Sequence, residues 1–239
     1  QVPEQCGTLA IDLGSCTTVV AFQNENDINP ILLDLPPISR IQGEIPTIVW
    51  RDEVKVLVGQ QVVNSGLASK KSPHLAKDFK SWIGAPYSTE IESYKQASED
   101  AGKLLLQEIW RRLPPKLEVK RLVLSAPVET YRGYKAWLIK ACKSLPVDEV
   151  ALVDEPTAAA MGAGLQPGSK LLVVDIGGST IDLSLVLLEG GEGKADPIAQ
   201  LLRFKGKDLG DSSSQVLRCA KVLGKAGLRL GGRDLDRWI

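Results

Sequence analysis

The chain has 239 residues, enough for one large or two modest domains with a buried core, and its 44% hydrophobic and 24% charged residues are those of an ordinary globular protein. Lys plus Arg equals Asp plus Glu at 29 each, so no overall field directs the molecule to nucleic acid or to an anionic membrane. A single histidine, His74, and four scattered cysteines (Cys6, Cys16, Cys142 and Cys219) argue against a Ser-His triad, a multi-histidine metal site and a disulfide frame.

No apolar run approaches the length of a membrane span, and the opening Gln1-Val-Pro-Glu-Gln-Cys-Gly7 is not a signal peptide. A cytoplasmic protein with reduced thiols, no membrane and no nucleic-acid partner is the expectation. Near the N-terminus Thr8-Leu-Ala-Ile11 predicts a strand, Asp12-Leu-Gly-Ser-Cys-Thr17 a turn, and Thr18-Val-Val-Ala-Phe22 a returning strand. Pro30–Leu35 and Ile45–Trp50 predict further short strands, Arg51–Val54 a turn, and Lys55–Val58 a return. Gln60–Asn64 reads as a short helix. Ser72-Pro73 reads as the start of another, running through His74 to Gly84, with Lys70, Lys71, Lys77 and Lys80 making the region basic. His74 falls on the solvated face.

From Glu90 to Leu113 the apolar residues Ala101, Leu104, Leu105, Ile109 and Trp110 recur at helical spacing until Pro114-Pro115 stops them. Arg121–Ser125 predicts a strand, Glu129–Leu145 a helix, and Val150–Val153 a strand. A helix then opens on Asp154-Glu-Pro-Thr-Ala-Ala-Ala-Met161, with Pro156 tolerated in its first turn. Gly162–Gly168 lacks the spacing of a dinucleotide loop and reads as helix exit and linker.

Next, Leu171–Val174 reads as a buried strand that ends on Asp175, turns through Gly177-Gly178-Ser179-Thr180 and leaves as Ile181–Leu188. Adjacent glycines permit positive φ and close approach of an anion, and successive turn amides make a concavity that attracts phosphate oxygens. A carboxylate at the strand end suits Mg²⁺ beside those phosphates. An ordinary hairpin has the same appearance. The stronger sign is repetition: Asp12–Thr17 and Asp175–Thr180 share Asp-x-Gly-x-x-Thr, each with strands on both sides, and two such hairpins can clamp one polyphosphate. No Gly-x-x-x-x-Gly-Lys-Ser/Thr sequence occurs, which disfavours a P-loop enzyme. Strands, helix, strand, helix, strand, helix and strands again make a βββαβα unit and the start of a second.

In these pieces the chain resembles the ATPase domain of the actin, hexokinase and heat-shock chaperone superfamily, and within it the seventy-kilodalton (DnaK-like) chaperones. The matching stretches are Ala10-Ile-Asp-Leu-Gly-Ser15, Val153-Asp-Glu-Pro-Thr-Ala-Ala-Ala160, Val174-Asp-Ile-Gly-Gly-Ser-Thr-Ile-Asp182 and Leu230-Gly-Gly-Arg-Asp-Leu-Asp236, in the family's order. The resemblance implies an α/β actin-like ATPase fold. Lobe I would occupy residues 1–166, with an abbreviated upper subdomain, and the start of lobe II residues 167–239.

It also implies ATP or ADP with Mg²⁺. Asp12 and Asp175 match carboxylates that hold the metal through water, Gly14, Ser15 and Cys16 the first phosphate loop, and Gly177, Gly178, Ser179 and Thr180 the second. Lys80 matches the lysine needed for hydrolysis, and Glu155 and Pro127 the pair that relays nucleotide state. Asp175 is the choice for orienting the attacking water. The partners implied are nucleotide, co-chaperones and nucleotide exchange factors.

Three departures qualify the likeness. Cys16 replaces a hydroxyl residue, Lys135 stands where the family has arginine and loses bidentate geometry, and Glu189–Gly227 is longer than expected, with Ser212–Leu223 read as an extra helix. The family's later helical subdomain and adenosine-binding loop are expected to be missing, which would remove about 1–3 kcal/mol of base stacking. A non-catalytic module of the same fold is the alternative reading. A small-molecule kinase is a weaker one, opposed by Glu155-Pro-Thr-Ala-Ala-Ala160.

Overall fold

The computed structural model describes residues 5–86, 92–127, 130–164, 168–177, 181–188, 200–209 and 220–228. The first hairpin forms as its alternation predicts, from β1 (Gln5–Leu13) and β2 (Thr17–Asn24), with Asp12 opposite Val19 and Leu13 opposite Thr18. Leu9, Ile11 and Leu13 point into the core, while Ala10 and Asp12 lie on the other, open face. β1 also pairs in parallel with β8 (Leu117–Ala126), which pairs in parallel with β9 (Glu149–Asp154). The carboxyl ends of β1, β8 and β9 therefore gather at one edge of the sheet, the place where open α/β sheets hold ligands.

Two helices cover the core face. On α2 (Glu92–Arg111), Ser98, Ala101, Gly102, Leu105, Leu106 and Ile109 are buried at helical spacing. On α3 (Tyr131–Ala141), Trp137 Nε1 donates to Glu99 O at 2.9 Å and its ring packs so close to Gly102 that a Cβ there would come within 2.7 Å of it. Parallel strands joined through α3 bury both of their flanks, so β9 and the second half of β8, from Leu122 on, read as nearly continuous apolar runs, while Glu118, Lys120 and Arg121 mark the open end of β8.

The segment before α2 differs from expectation. Pro30–Leu35 contributes only β3 (Ile31–Leu32), on the outer side of β2. Ile45–Trp50 splits into β4 (Glu44–Pro46), paired with β2, and β5 (Ile48–Arg51), which belongs to another sheet. Thr47 makes the break, because its amide donates to Cys16 O at 2.8 Å and its hydroxyl bonds that of Thr18 at 2.9 Å. β5 lies between β6 (Val56–Val58) and β7 (Leu75–Lys77), and α1 (Gln60–Asn64) forms where predicted. Trp50, Val62 and Leu67 make a small second core there.

The helix expected from His74 to Gly84 does not exist. Leu75–Lys77 pairs with β5, Asp78 takes a left-handed conformation (φ 60°, ψ 17°) that no continuous helix allows, and only a 3₁₀ turn, Phe79–Trp82, follows. His74 is exposed, as expected, with Nδ1 3.1 Å from Arg51 O.

After α4 (Glu155–Gly162), the second hairpin forms from β10 (Lys170–Ile176) and β11 (Ile181–Leu188), with β14 (Ala220–Leu228) on the far side of β11. α4 packs against β10 and β11. Leu171–Val174 is not the buried strand its apolar run suggests, since Leu172 and Val174 are 61% and 52% exposed. The extra helix expected at Ser212–Leu223 is contradicted at its end, where Ala220–Leu223 belongs to β14; residues 212–219 lie outside the described residues.

Between β11 and β14 the chain returns to the first sheet. β12 (Gln200–Phe204) pairs with β9 and β13 (Lys207–Asp208) with β12, giving the order β13-β12-β9-β8-β1-β2-β3. A division at residue 167 thus separates the sheets except for this hairpin. Its Leu202 joins the main core, and the buried Arg203 reaches Asp208 Oδ1 at 2.8 Å and Leu145 O at 3.1 Å.

Candidate functional site

Four elements bring charged groups to the edge where β1, β8 and β9 end. Asp12, the penultimate residue of β1, accepts a hydrogen bond from the Ser125 hydroxyl, which the parallel register places near the end of the neighbouring strand. Asp154 ends β9 and caps α4, its Oδ1 accepting from Thr157 N at 2.9 Å and Thr157 Oγ1 at 2.7 Å. That cap fixes Glu155 in the first helical turn, with Pro156 beside it. Lys80 comes from the 3₁₀ turn, and its Nζ lies 2.6 Å from Glu155 Oε1.

Glu155 reports on its surroundings. Burial pushes its carboxyl above the ordinary value; the Lys80 ammonium pulls it back, and the charges of Asp12 and Asp175 push it up again. Asp12 belongs to the first hairpin and Asp175 to the second, so the carboxylates of both converge on one helix terminus. Three carboxylates and one lysine leave a local excess of negative charge, although among the described residues no three acidic, histidine or cysteine side chains stand close enough to hold a metal ion directly.

Gly14, Ser15 and Cys16 follow Asp12 as a half-buried loop. A Cβ on Gly14 would stand 2.2 Å from Thr17 O, so no other residue fits without moving backbone. The bond from Thr47 N to Cys16 O holds the far side of the loop. Gly177 is half-buried just past β10. Gly178, Ser179 and Thr180, expected to complete the second loop, lie outside the described residues, as do the family-like Leu230–Asp236 and residues 128 and 129 after Pro127.

Among the predicted site residues, then, Asp12, Lys80, Glu155 and Asp175 come together, and Gly14–Cys16 adjoin Asp12. Pro127 follows β8 directly, one residue from the end of the strand that carries Ser125. Lys135 lies half-buried on α3. Sequence reasoning missed two residues. Ser125 is the penultimate residue of a strand whose parallel pairing with β1 no local pattern shows. Tyr134 is completely buried on α3, where the charges of Glu155 and Asp12 both bear on its hydroxyl.

Two surface hollows, of about 360 and 470 Å³, open near the opposite ends of these strands and share Lys120 and Asp148 in their walls. None of the predicted site residues lines either one.

Comparison with known proteins bears on the fold. Residues 96–195 match the family described as MreB/Mbl protein. The chaperone protein DnaK of Thermosipho melanesiensis is 26% identical over 197 residues, covering 80% of this chain and 32% of that protein. DnaK of Mycoplasmopsis agalactiae is 23% identical over 190 residues (77% of this chain, 30% of that one), and DnaK of Thermotoga petrophila 24% over 196 (80% and 32%). The chain thus spans about a third of the length of these relatives. With its paired Asp-x-Gly hairpins, its βββαβα order and these matches, the chain has an actin-like ATPase fold and is similar to the chaperone protein DnaK over the stretch that the two share.

Proposed function

We propose that the chain binds ATP with Mg²⁺ and hydrolyses it, as the nucleotide-binding domain of a chaperone-like protein of the cytoplasm. One observation carries the reading: Lys80 lies 2.6 Å from Glu155, and the carboxylates of both hairpins act on that same glutamate. Separated hairpins that aim acidic strand ends at one lysine–glutamate pair suit a ligand with several negative charges and a metal. Asp12 and Asp175 would hold Mg²⁺ through water, and the bound ion would offset charge on the phosphate oxygens.

In this reading the amides of Gly14, Ser15 and Cys16 cradle the phosphates from one side, and those of Gly177, Gly178, Ser179 and Thr180 from the other. Lys80 exchanges Glu155 for the terminal phosphate and neutralises charge on the transferred group. Asp175 orients the attacking water. Glu155, on losing Lys80, passes the change to Pro127 and the helices beyond. Co-chaperones and nucleotide exchange factors are the partners that belong to such a cycle.

The test is single-turnover hydrolysis by the 239-residue chain. Asp175→Asn should retain ATP binding and lose at least about tenfold in turnover, and Lys80→Met should do the same. Chelation of Mg²⁺ should abolish turnover, and its return restore it. Hydrolysis by Asp175→Asn at the unaltered rate would overturn the assignment.

Lys135 supports a second reading, a regulatory module that binds nucleotide without turning it over. A lysine cannot supply the two-pronged contact of the arginine expected there, which weakens any relay through α3. Binding of ATP with no hydrolysis by the unaltered chain would favour this version.

A further inference from the structure

Tyr134 is the bulkiest of the completely enclosed side chains, and its hydroxyl has no hydrogen-bond partner among the described residues. Burying a phenol oxygen with nothing to bond is unfavourable, and a phenylalanine would fill the same space without that penalty. Packing alone therefore does not account for the hydroxyl.

The residue is held firmly. Its ring stands edge-on to Trp137, with centroids 5.1 Å apart and planes at 64°. Its amide donates to Thr130 O at 2.8 Å. A Cβ on Gly84 would fall 2.2 Å from Tyr134 N, and one on Gly133 would fall 2.1 Å from Gly84 O. The first turn of α3 thus rests backbone to backbone on the chain leaving the Lys80 turn, which fixes Tyr134 relative to Lys80.

The hydroxyl is also near charge. Burial, and then the negative charges of Glu155 and Asp12, keep the phenol protonated far above its ordinary range, so it is a donor. Glu155 Oε1 is buried as well. That atom is held by Lys80 alone, whose Nζ lies 2.6 Å away, so it has no other partner once the lysine leaves. A donor without an acceptor and an acceptor whose one donor is Lys80 lie within each other's field.

We infer that Tyr134 is a positioning residue: its hydroxyl donates to Glu155, directly or through one buried water, and holds that carboxylate in place when Lys80 turns to the nucleotide. This rests on the nucleotide reading above, and it adds a group that holds Glu155 after the lysine has left. Loss of the hydroxyl should leave nucleotide binding intact and impair the step that needs Glu155 in place.

The test uses Tyr134→Phe, which keeps the ring. In single-turnover hydrolysis kcat should fall about tenfold while KM stays within about twofold, with a thermal midpoint equal to or above that of the unaltered chain. The double variant Tyr134→Phe/Glu155→Gln should be no slower than Glu155→Gln alone. Independently of nucleotide, the chain labelled with 3-fluorotyrosine should give a ¹⁹F resonance, assigned through Tyr134→Phe, that moves on Glu155→Gln. A resonance indifferent to Glu155→Gln overturns the inference, and so does a lowered thermal midpoint with kcat untouched. If the unaltered chain binds no ATP, the nucleotide reading and the positioning role both fall, and the ¹⁹F shift still decides whether the two side chains are bonded.

Discussion

The two Asp-x-Gly hairpins are alike in sequence and register but opposite in burial. Leu9, Ile11 and Leu13 on β1 are 0%, 3% and 1% exposed; Leu172, Val174 and Ile176, at the matching positions of β10, are 61%, 52% and 66% exposed. On the other face the order reverses. Ala10 and Asp12 are open, whereas Ser184 and Val186, paired with Val173 and Leu171, are buried beside α4. β1 is flanked by β2 and β8 and roofed by the α2–α3 layer; β10 has only β11 beside it among the described residues. The local sequence dictates the hairpin and its turn, while burial is set by what the rest of the chain lays against each face.

The sharpest way to break this contrast is to truncate equivalent leucines. Leu9→Ala should cost about 2–5 kcal/mol of unfolding free energy, through lost transfer energy and a residual cavity. Leu172→Ala should change it by less than about 0.5 kcal/mol, as at other exposed positions. Denaturant titration of the 239-residue variants measures both. Equal losses would mean that the face of β10 is covered in solution, and the contrast would vanish. Next in size is Gly14→Ala, whose Cβ would meet Thr17 O at 2.2 Å. Because the obstacle is backbone, the loop must shift, costing about 1–3 kcal/mol and weakening any phosphate binding at the first hairpin. Thermal denaturation alongside a nucleotide titration would separate the two effects.

What could be read in advance follows the same line. The Asp12–Thr17 turn was legible because glycine, a small polar residue and a strand-ending carboxylate are local requirements of the turn, and so were the strands on either side of Asp175–Thr180. The helices 92–111 and 155–162 were legible for the same reason, through apolar spacing in one and a proline suited to the first turn in the other. The turn that carries Lys80 was not, because Asp78 breaks the helix by adopting a left-handed conformation that its sequence does not advertise. β12 escaped because its pairing with β9 joins residues some fifty positions apart. Ser125 and Tyr134 escaped for a related reason: each enters the site through the register of a parallel strand or the seat of a helix, neither of which leaves a periodic mark.

The β12–β13 hairpin offers a smaller test, since among the described residues of the 167–228 stretch it is the part that shares the core of the first hairpin. Arg203 is 6% exposed, and its partners are Asp208 and the Leu145 carbonyl. Arg203→Ala would remove its bond to that carbonyl, which keeps only the Val147 amide at 2.9 Å, together with the Asp208 pair, for about 1–2 kcal/mol. Removal of the exposed Arg40–Glu44 pair, by contrast, should cost under about 0.5 kcal/mol. Faster amide exchange along β9 in Arg203→Ala would show that the hairpin guards that edge; unaltered exchange would show that it only rests there.

The smallest effect bears most directly on whether the hairpins meet. Glu155 has a raised folded-state pKa, from burial first, with Lys80 opposing and Asp12 and then Asp175 adding to the rise. Between the ordinary 4.5 and the raised value the folded chain holds a proton that the unfolded chain has released, so stability falls as pH climbs through that window. Glu155→Gln should flatten this decline in a series of thermal midpoints against pH. Asp12→Asn and Asp175→Asn should each lower the Glu155 pKa and narrow the window, Asp12→Asn by more, while Lys80→Met should widen it. A ¹³C titration of the Glu155 carboxyl reads these shifts one by one. If Asp175→Asn leaves that titration where it was, the second hairpin does not reach the helix terminus that the first one faces, and the two turns do not share a site.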